Sequence, residues 1–175
     1  MEKIARIVSA GCLTNIKLLL QKIFGNHVRF VPLHLIAPST SVWAWGEQSL
    51  ISLGSHVYIR ANTELRASNG HIEIDDNVFI NRNCVICARE KIAIAQGVTI
   101  GPNTCIYDHD HDVNNRGSFV TAPVIIKENA WIGTGCIILK GVTIGRNAVV
   151  AAGSTVTKNV PDNAVLIQKR TSEFK

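Results

Sequence analysis

Aliphatic residues recur at intervals of six along most of the chain from Leu53 to Val156. They form five groups of three, and the interval of six is kept within every group. The period predicts a coil with three short sides and one inward aliphatic residue on each side. The fifteen positions are Leu53, Ile59, Leu65, Ile74, Ile80, Ile86, Ile94, Ile100, Ile106, Ile126, Ile132, Ile138, Ile144, Val150 and Val156.

The interval lengthens only between groups. It becomes nine residues after Leu65, eight after Ile86 and twenty after Ile106, so each insertion follows a third side. A three-sided coil that accepts extra residues at one corner accounts for this placement. We therefore predict a parallel β-helix of about five full coils, with strands stacked about 4.8 Å apart around one aliphatic core.

Two further positions of the repeat support this fold. The residue after the aliphatic one is often Gly or another small residue, as in Gly54, Gly101, Gly133 and Gly145, and we expect it to form a tight corner. The fourth residue after it is small or β-branched and is expected to share the interior: Val57, Val78, Cys84, Val98, Thr104, Cys136, Val142, Ala148 and Ser154.

The N-terminal third is less regular. The run from Ile36 to Val42 is predicted to be one more irregular hexad. Before it, apolar residues at helical spacing predict an amphipathic helix, packed on the first coils or, alternatively, touching a membrane surface or a lipid-linked substrate. These residues are Ile16, Leu19, Leu20, Ile23 and Phe24. The predicted organisation is a helical segment (1–35), the β-helix (36–160) with a loop at 107–124, and a tail (161–175).

Composition narrows the functional classes. Hydrophobic residues make up 46% and charged residues 18% of the chain, which is typical of a compact or oligomeric protein. The net charge of +5 is scattered, so nucleic acid is not an expected partner. Five cysteines, an odd number, fit a reducing cytoplasmic setting. The CVIC run (Cys84 to Cys87) has no second CxxC and is interpreted as packing.

The longest insertion carries the sequence DHDHDVNNRG, the densest polar cluster in the chain. A loop of this length in so regular a fold is usually functional. Besides a solvated surface loop, two interpretations are a metal site and a general base, since histidine titrates near the pH of the cytoplasm.

The metal interpretation would use His109 and His111 with Asp108 or Asp110 as ligands of zinc or iron. We expect the two imidazoles on opposite sides of the extended segment, which argues against a shared ion. The remaining histidines do not fall at matching corners of adjacent coils. The prediction is therefore a site without metal.

Three runs carry a family resemblance: IEIDDNVFINRN, VTIGPNTCIYDHDH and NAWIGTGCIILKGVTIGRNAVVAAGSTVTKNVP. The segment from Ile72 to Lys158 resembles the hexapeptide acyltransferases of the maltose and galactoside O-acetyltransferase type. It looks closest to their relatives that O-acetylate capsular, exopolysaccharide or lipopolysaccharide sugars. The resemblance implies a left-handed β-helix, a homotrimer, and acetyl-CoA bound between neighbouring subunits.

The resemblance also implies roles for individual residues. The catalytic histidine falls on His111 and the asparagine that places the acceptor or the thioester carbonyl falls on Asn81. Acetyl-CoA contacts fall on Trp131, Thr134, Ala152, Thr157 and Lys158. Trp131 precedes the inward Ile132, so we expect it to face outward. The usual C-terminal GxPA segment is replaced by VLIQKRTSEFK, so no C-terminal contact is assigned.

The implied function is transfer of acetyl from acetyl-CoA to a saccharide hydroxyl, with His111 as base and backbone N–H groups near Gly133 and Thr134 stabilising the oxyanion. Three alternatives remain at this point. The acceptor could be the amine of an amino sugar, the chain could be a metal-dependent hydratase of the carbonic anhydrase type, or it could be a non-catalytic scaffold.

Overall fold

The computed structural model describes residues 27–30 and 34–168 of the 175-residue chain. The predicted amphipathic helix lies outside these residues. The described residues form 21 short strands. In chain order, the first eleven are β1 (Val28–Phe30), β2 (Leu35–Ile36), β3 (Ser41–Trp45), β4 (Leu50–Leu53), β5 (Tyr58–Ile59), β6 (Glu64–Ser68), β7 (His71–Ile74), β8 (Phe79–Ile80), β9 (Val85–Ala88), β10 (Lys91–Ile94) and β11 (Thr99–Ile100). The other ten are β12 (Cys105–Tyr107), β13 (His109–His111), β14 (Phe119–Thr121), β15 (Val124–Ile126), β16 (Trp131–Ile132), β17 (Ile137–Ile138), β18 (Thr143–Ile144), β19 (Val149–Val150), β20 (Thr155–Val156) and β21 (Val165–Leu166).

Three parallel sheets form the sides of a prism. Sheet A contains β1, β4, β7, β10, β15 and β18; sheet B contains β2, β5, β8, β11, β16, β19 and β21; sheet C contains β3, β6, β9, β12, β17 and β20. The chain visits A, B and C in turn, and each strand pairs with the corresponding strand of the next coil. This is a parallel β-helix, consistent with the left-handed form, and the predicted fold class is confirmed.

The predicted aliphatic ladders are confirmed residue by residue. Leu53, Ile74, Ile94, Ile126 and Ile144 are consecutive register partners in sheet A, and the other two ladders run in the same way through sheets B and C. None of the fifteen residues is more than 3% exposed. Burial of this continuous apolar stack is the main favourable contribution to the fold.

The β-helix is longer than the five coils predicted. Phe30, Ile36 and Val42 pair with the first three residues of the repeat and add a coil before them. At the other end, Val160 bridges to Ile144, and β21 joins sheet B. The irregular hexad predicted from Ile36 to Val42 is therefore part of the stack.

The corners use glycine and asparagine differently from the prediction. Wherever the interval is six between Leu53 and Val156, the third residue after the ladder position has a positive φ, between 52° and 76°. Asparagine tolerates this left-handed conformation better than most residues, and glycine adopts it freely. These eleven residues are His56, Asn62, Asn77, Asn83, Gly97, Asn103, Asn129, Gly135, Gly141, Asn147 and Gly153.

The glycine directly after the ladder residue serves close approach between coils and not a turn. A Cβ on Gly133 would lie 2.6 Å from the backbone nitrogen of Ala152 in the next coil, and a Cβ on Gly101 would lie 2.7 Å from the carbonyl carbon of Gly133. The prediction that these glycines make the tight corner was wrong about the cause, because the turn itself is made two residues later.

The cysteines of the CVIC run lie on opposite sides of sheet C. Cys84 is fully buried in the interior, and burial raises the pKa of its thiol. Cys87 lies on the outer face of the sheet, in register with Arg66. Their placement agrees with the packing interpretation.

Candidate functional site at two edges of sheet C

Two edges of the prism carry the predicted site residues. The BC edge is formed by the corners that lead from sheet B into sheet C, and the CA edge by the corners that lead from sheet C into sheet A. Asn81, Thr134 and Ala152 lie at the BC edge. His111 and the pair Thr157–Lys158 lie at the CA edge, on the opposite side of sheet C.

A cavity of about 400 Å³ lies at the BC edge. It is lined by four predicted residues, Asn81, Trp131, Thr134 and Ala152. Trp131 is 56% exposed on the outer face of sheet B, as expected from its position before Ile132. An indole with that exposure, set beside the polar corners, offers a flat apolar surface on which a ligand can stack.

The backbone of this cavity presents free hydrogen-bond donors. The N–H of Gly133 donates to the carbonyl of Val150 at 2.8 Å, so it is already used. Within the described ranges, the N–H groups of Thr134 and Ala152 make no hydrogen bond. The close approach at Gly133 keeps these two amides on consecutive coils near one another. They form a pair of donors suited to an extended ligand that carries carbonyl groups.

Asn81 is held by its own corner. Its Oδ1 accepts the backbone N–H of Arg82 at 2.9 Å, and its backbone carbonyl accepts the hydroxyl of Thr63 at 2.9 Å. This arrangement fixes the carboxamide and leaves its Nδ2 group as a donor for a ligand.

The CA edge is dominated by the long insertion, which forms a small antiparallel hairpin of β13 and β14. The hairpin is anchored by Asp108, whose side chain is fully buried. Its carboxylate accepts the backbone N–H groups of Arg89 and Glu90 at 2.8 and 2.7 Å and lies 2.9 Å from Nδ1 of His109. A buried carboxylate is tolerated because these donors satisfy it.

The two histidines of the insertion lie on the same side of the hairpin. The rings of His109 and His111 have centroids 5.5 and 4.7 Å from that of Phe119. The expectation that they point to opposite sides was wrong, because residues two apart in a strand share a face. They differ in hydrogen bonding: His109 is tied to Asp108, whereas in the described structure neither ring nitrogen of the exposed His111 has a partner.

Tyr107 lies beside the hairpin, with its ring centroid 6.0 Å from that of His109. Burial, with a smaller effect from the neighbouring Cys105 thiol, raises the pKa of Tyr107 to about 12. The phenol therefore stays protonated at neutral pH and does not compete with the histidines as a base.

Thr157 and Lys158 line a second cavity of about 260 Å³ at the C-terminal end of the prism, together with Val160 and Pro161. Lys158 is exposed, so its ammonium group is accessible to an anion. The seven predicted site residues therefore do not form one cluster within the chain. Four share the cavity at the BC edge, and three lie at the CA edge.

Neither a metal site nor a membrane span is found in the part of the chain that the structure describes. Within it, no group of three or more His, Cys, Asp or Glu side chains is arranged to hold a metal ion. No helix among these residues has the length and apolar character needed to cross a bilayer.

Part of the repeat matches a known protein family. The family model described as bacterial transferase hexapeptide (six repeats) matches residues 123–158. Residues 123–158 therefore carry the hexapeptide repeat of these bacterial transferases. Nodulation protein L of Rhizobium meliloti is 49% identical over 98 residues, which cover 54% of each chain. Galactoside O-acetyltransferase of Lactococcus lactis is 33% identical over 117 residues, 65% of this chain and 56% of that enzyme.

Solved structures agree with the β-helical fold of this chain. AntD, an N-acyltransferase from Bacillus cereus, superposes with a TM-score of 0.71 at 24% identity and covers 88% of this chain and 86% of its own. The hexapeptide-repeat acetyltransferase VCA0836 of Vibrio cholerae, complexed with acetyl-CoA, gives a TM-score of 0.53 at 26% identity over 87% and 70% of the two chains. The chain spans about half the length of the curated relatives it matches.

Proposed function

We propose that this protein is an acetyl-CoA-dependent O-acetyltransferase that acts on a hydroxyl of a saccharide, either a cell-envelope polysaccharide or its precursor. The observation that carries the proposal is the cavity at the BC edge, because four residues that the family resemblance assigned from the sequence line it. The galactoside O-acetyltransferases and the acetyl-CoA complex of VCA0836 support the same chemistry. The similarity to AntD, at 24% identity, supports the fold alone.

The active site is shared between two chains in this proposal. His111 and the cavity lie at opposite edges of sheet C, so one protomer does not bring them together. In a closed ring of three protomers, the CA edge of one chain meets the BC edge of the next. The outer face of sheet C then faces the symmetry axis. Its exposed apolar side chains Trp43 (57%) and Ile137 (40%) are suited to burial there.

Acetyl-CoA would lie along the BC edge. The free amide of Ala152 would donate to a carbonyl group of the cofactor arm, with the indole of Trp131 beside it, and the free amide of Thr134 would face the thioester carbonyl. Thr157 and Lys158 of the neighbouring chain would close the site, and the ammonium group of Lys158 would pair with a CoA phosphate. The exposed positions of both residues permit this contact.

The reaction is a direct transfer in a ternary complex. The imidazole of His111 takes the proton of the sugar hydroxyl while the oxygen attacks the thioester carbonyl carbon. The tetrahedral intermediate collapses, the C–S bond breaks, and the imidazolium returns the proton to the departing CoA sulfur. A general base of this kind contributes about 10²–10⁴-fold. The free N–H of Thr134 can stabilise the oxyanion, a contribution of about 10²–10³-fold per donor in comparable sites. The N–H of Gly133 is less suited because it is bonded to Val150.

The test is release of free thiol from acetyl-CoA in the presence of sugar acceptors, with wild-type protein and the variants His111→Ala and His109→Ala. We expect His111→Ala to lose about 10²–10⁴-fold in turnover. His109→Ala should retain more activity, because its ring is tied to Asp108 and its role in this proposal is structural. Undiminished turnover by His111→Ala would refute the assigned base.

The same experiment decides between a hydroxyl and an amine as acceptor, since the same base serves both nucleophiles. An acetyl ester is released from the product by mild alkali, whereas an acetamide persists. An alkali-stable product would replace the proposed O-acetylation with N-acetylation of an amino sugar.

A further inference from the structure

A stack of side chains connects His111 to the body of the β-helix. Phe119 is directly opposite His111 in the β13–β14 ladder, and the two rings are 4.7 Å apart with an angle of 39° between their planes. Cζ of Arg89 lies 3.5 Å from the centroid of the same phenyl ring. This is a short cation–π contact between the hairpin and the corner beneath it.

Arg89 is itself fixed by the main chain. Its backbone N–H donates to the buried carboxylate of Asp108, and the preceding strand β9 belongs to sheet C. The support therefore runs from sheet C through Arg89 to Phe119 and then to His111. A two-stranded hairpin is marginally stable alone, so contacts of this kind decide how well its side chains are ordered.

His111 depends on this contact more than His109 does. The ring of His109 is oriented by a hydrogen bond from Nδ1 to Asp108. In the described ranges, the ring of His111 has no hydrogen bond, and its aromatic contact is with Phe119. Without that contact the imidazole would be free to rotate on an exposed strand.

We propose that Phe119, clamped by Arg89, is the positioning residue that sets the orientation of the His111 imidazole for proton transfer. The inference rests on the proposed function of His111 as base. Misplacement of a reacting group by about 1 Å costs roughly 10²-fold in rate, so loss of the ring should act on the chemical step. Binding of acetyl-CoA should not change, because Phe119 is not among the residues proposed to contact it.

The principal variant is Phe119→Leu, which keeps an apolar side chain but removes the ring. We expect kcat to fall about 10–10²-fold while KM for acetyl-CoA and the melting temperature stay within error of wild type. Phe119→Tyr, which keeps the ring, should recover most of kcat. Val120→Thr is the matched control, because Val120 is on the same strand, 47% exposed and outside the ring cluster. It should behave as wild type.

A second variant and a spectroscopic measurement separate this inference from the proposed function. Arg89→Met leaves Phe119 in place but removes the cation, and it should give a smaller fall in kcat. NMR of the imidazole protons of His111 measures the ring contact without activity, since Phe119 should shift them and Phe119→Leu should abolish that shift. Wild-type kcat in Phe119→Leu, or an unchanged imidazole spectrum, overturns the positioning role. Loss of activity in Phe119→Leu but not in His111→Ala would instead overturn His111 as base.

Discussion

The BC and CA edges lie at the two ends of the same strands of sheet C, but their corners differ in length and in backbone hydrogen bonding. Corners of the BC edge keep the six-residue interval, and from Ile59 onward each turns at a left-handed Asn or Gly. Corners of the CA edge vary in length, and one of them holds the hairpin. At the BC edge, the backbone bonds to the next coil, as Gly133 does to Val150. At the corner of the CA edge that holds the hairpin, the buried carboxylate of Asp108 instead accepts the backbone N–H groups of Arg89 and Glu90 from the neighbouring coil.

This difference indicates which edge of a β-helix can present a catalytic side chain. A regular corner exposes only short side chains and backbone amides, so it is suited to holding an extended ligand. An irregular corner can carry a histidine outward, provided that a buried polar group satisfies the backbone it displaces. A site composed from both edges needs two chains, and this is the first point to test.

The largest expected effect is recovery of activity by mixing two inactive variants. His111→Ala removes the group at the CA edge, and Asn81→Ala removes one at the BC edge. If each site combines the two edges of different chains, mixed trimers regain intact sites, about one quarter of the total for random mixing. Refolding the two variants together and assaying thiol release measures the recovery.

The control is to mix His111→Ala with Phe119→Leu, since both changes are at the CA edge and no mixed site is intact. Recovery in the first mixture but not in the second supports a shared site. If neither mixture recovers although both assemble into trimers, His111 and Asn81 do not serve a common site between chains.

The second prediction compares insertions at the two edges. Two glycines between Asn114 and Asn115, in the turn of the hairpin, should cost only about 0.2 kcal/mol in free energy of unfolding. The same pair between Pro102 and Asn103, at the BC edge, should displace Ile106 from its ladder, at a cost of about 2–5 kcal/mol. Urea unfolding measures both. Equal losses would mean that the hairpin is as integral to the fold as the regular corner.

The fold could be predicted because the same signal, one aliphatic residue in every six, recurs at many positions along the chain. Fifteen aliphatic residues at a fixed period leave one arrangement that buries them all, and the structure places them in register. The residues of the BC edge were assigned from the family resemblance, and the structure places four of them around one cavity. The cause of the corner glycines was missed, because a sequence shows where a glycine stands but not whether a turn or a neighbouring coil requires it.

The CA edge could be predicted only in part. The insertion identified His109 and His111 as candidates, and the family resemblance selected His111. The hairpin, the anchoring role of Asp108 and the contact of Arg89 with Phe119 were not foreseen. Arg89 and Phe119 are thirty residues apart, and neither belongs to a motif. Such contacts depend on the conformation of one irregular loop, which the six-residue repeat does not predict. Alternation alone should have placed His109 and His111 on one side.

The third prediction separates the two uses of glycine at one BC corner. Gly133→Ala places a Cβ 2.6 Å from the nitrogen of Ala152 and should destabilise by about 1–3 kcal/mol through overpacking. Gly135 has a φ of +65°, and a Cβ there would meet nothing within 4 Å. Gly135→Asn should therefore be close to neutral, and Gly135→Ala should cost about 1–2 kcal/mol. Thermal unfolding ranks the three, and a neutral Gly133→Ala would contradict close approach as the cause.

The smallest expected effect is on the pH dependence of stability. It concerns the AB edge, which is formed by the corners that lead from sheet A into sheet B and holds none of the predicted site residues. The N–H of Ser55 donates to the carboxylate of Asp76 at 2.6 Å, and this bond holds the pKa of Asp76 below its ordinary value of 3.8. Burial has the opposite effect on its neighbour and raises the pKa of Asp75. Adjacent carboxyl groups therefore contribute to stability with opposite dependence on pH.

The signs follow from proton linkage. The contribution of Asp76 is complete above pH 3.8, its ordinary pKa, and is lost as the pH falls through its lower folded value. Asp76→Asn should melt below wild type at neutral pH, with the gap closing in acid. Asp75 destabilises the folded state once the pH rises through its elevated pKa, so Asp75→Asn should gain relative to wild type at neutral pH and not in acid. Melting curves from neutral pH to about pH 3 measure both. If the two variants change the melting temperature at neutral pH in the same direction relative to wild type, the corner responds to the loss of the side chains and not to their charge.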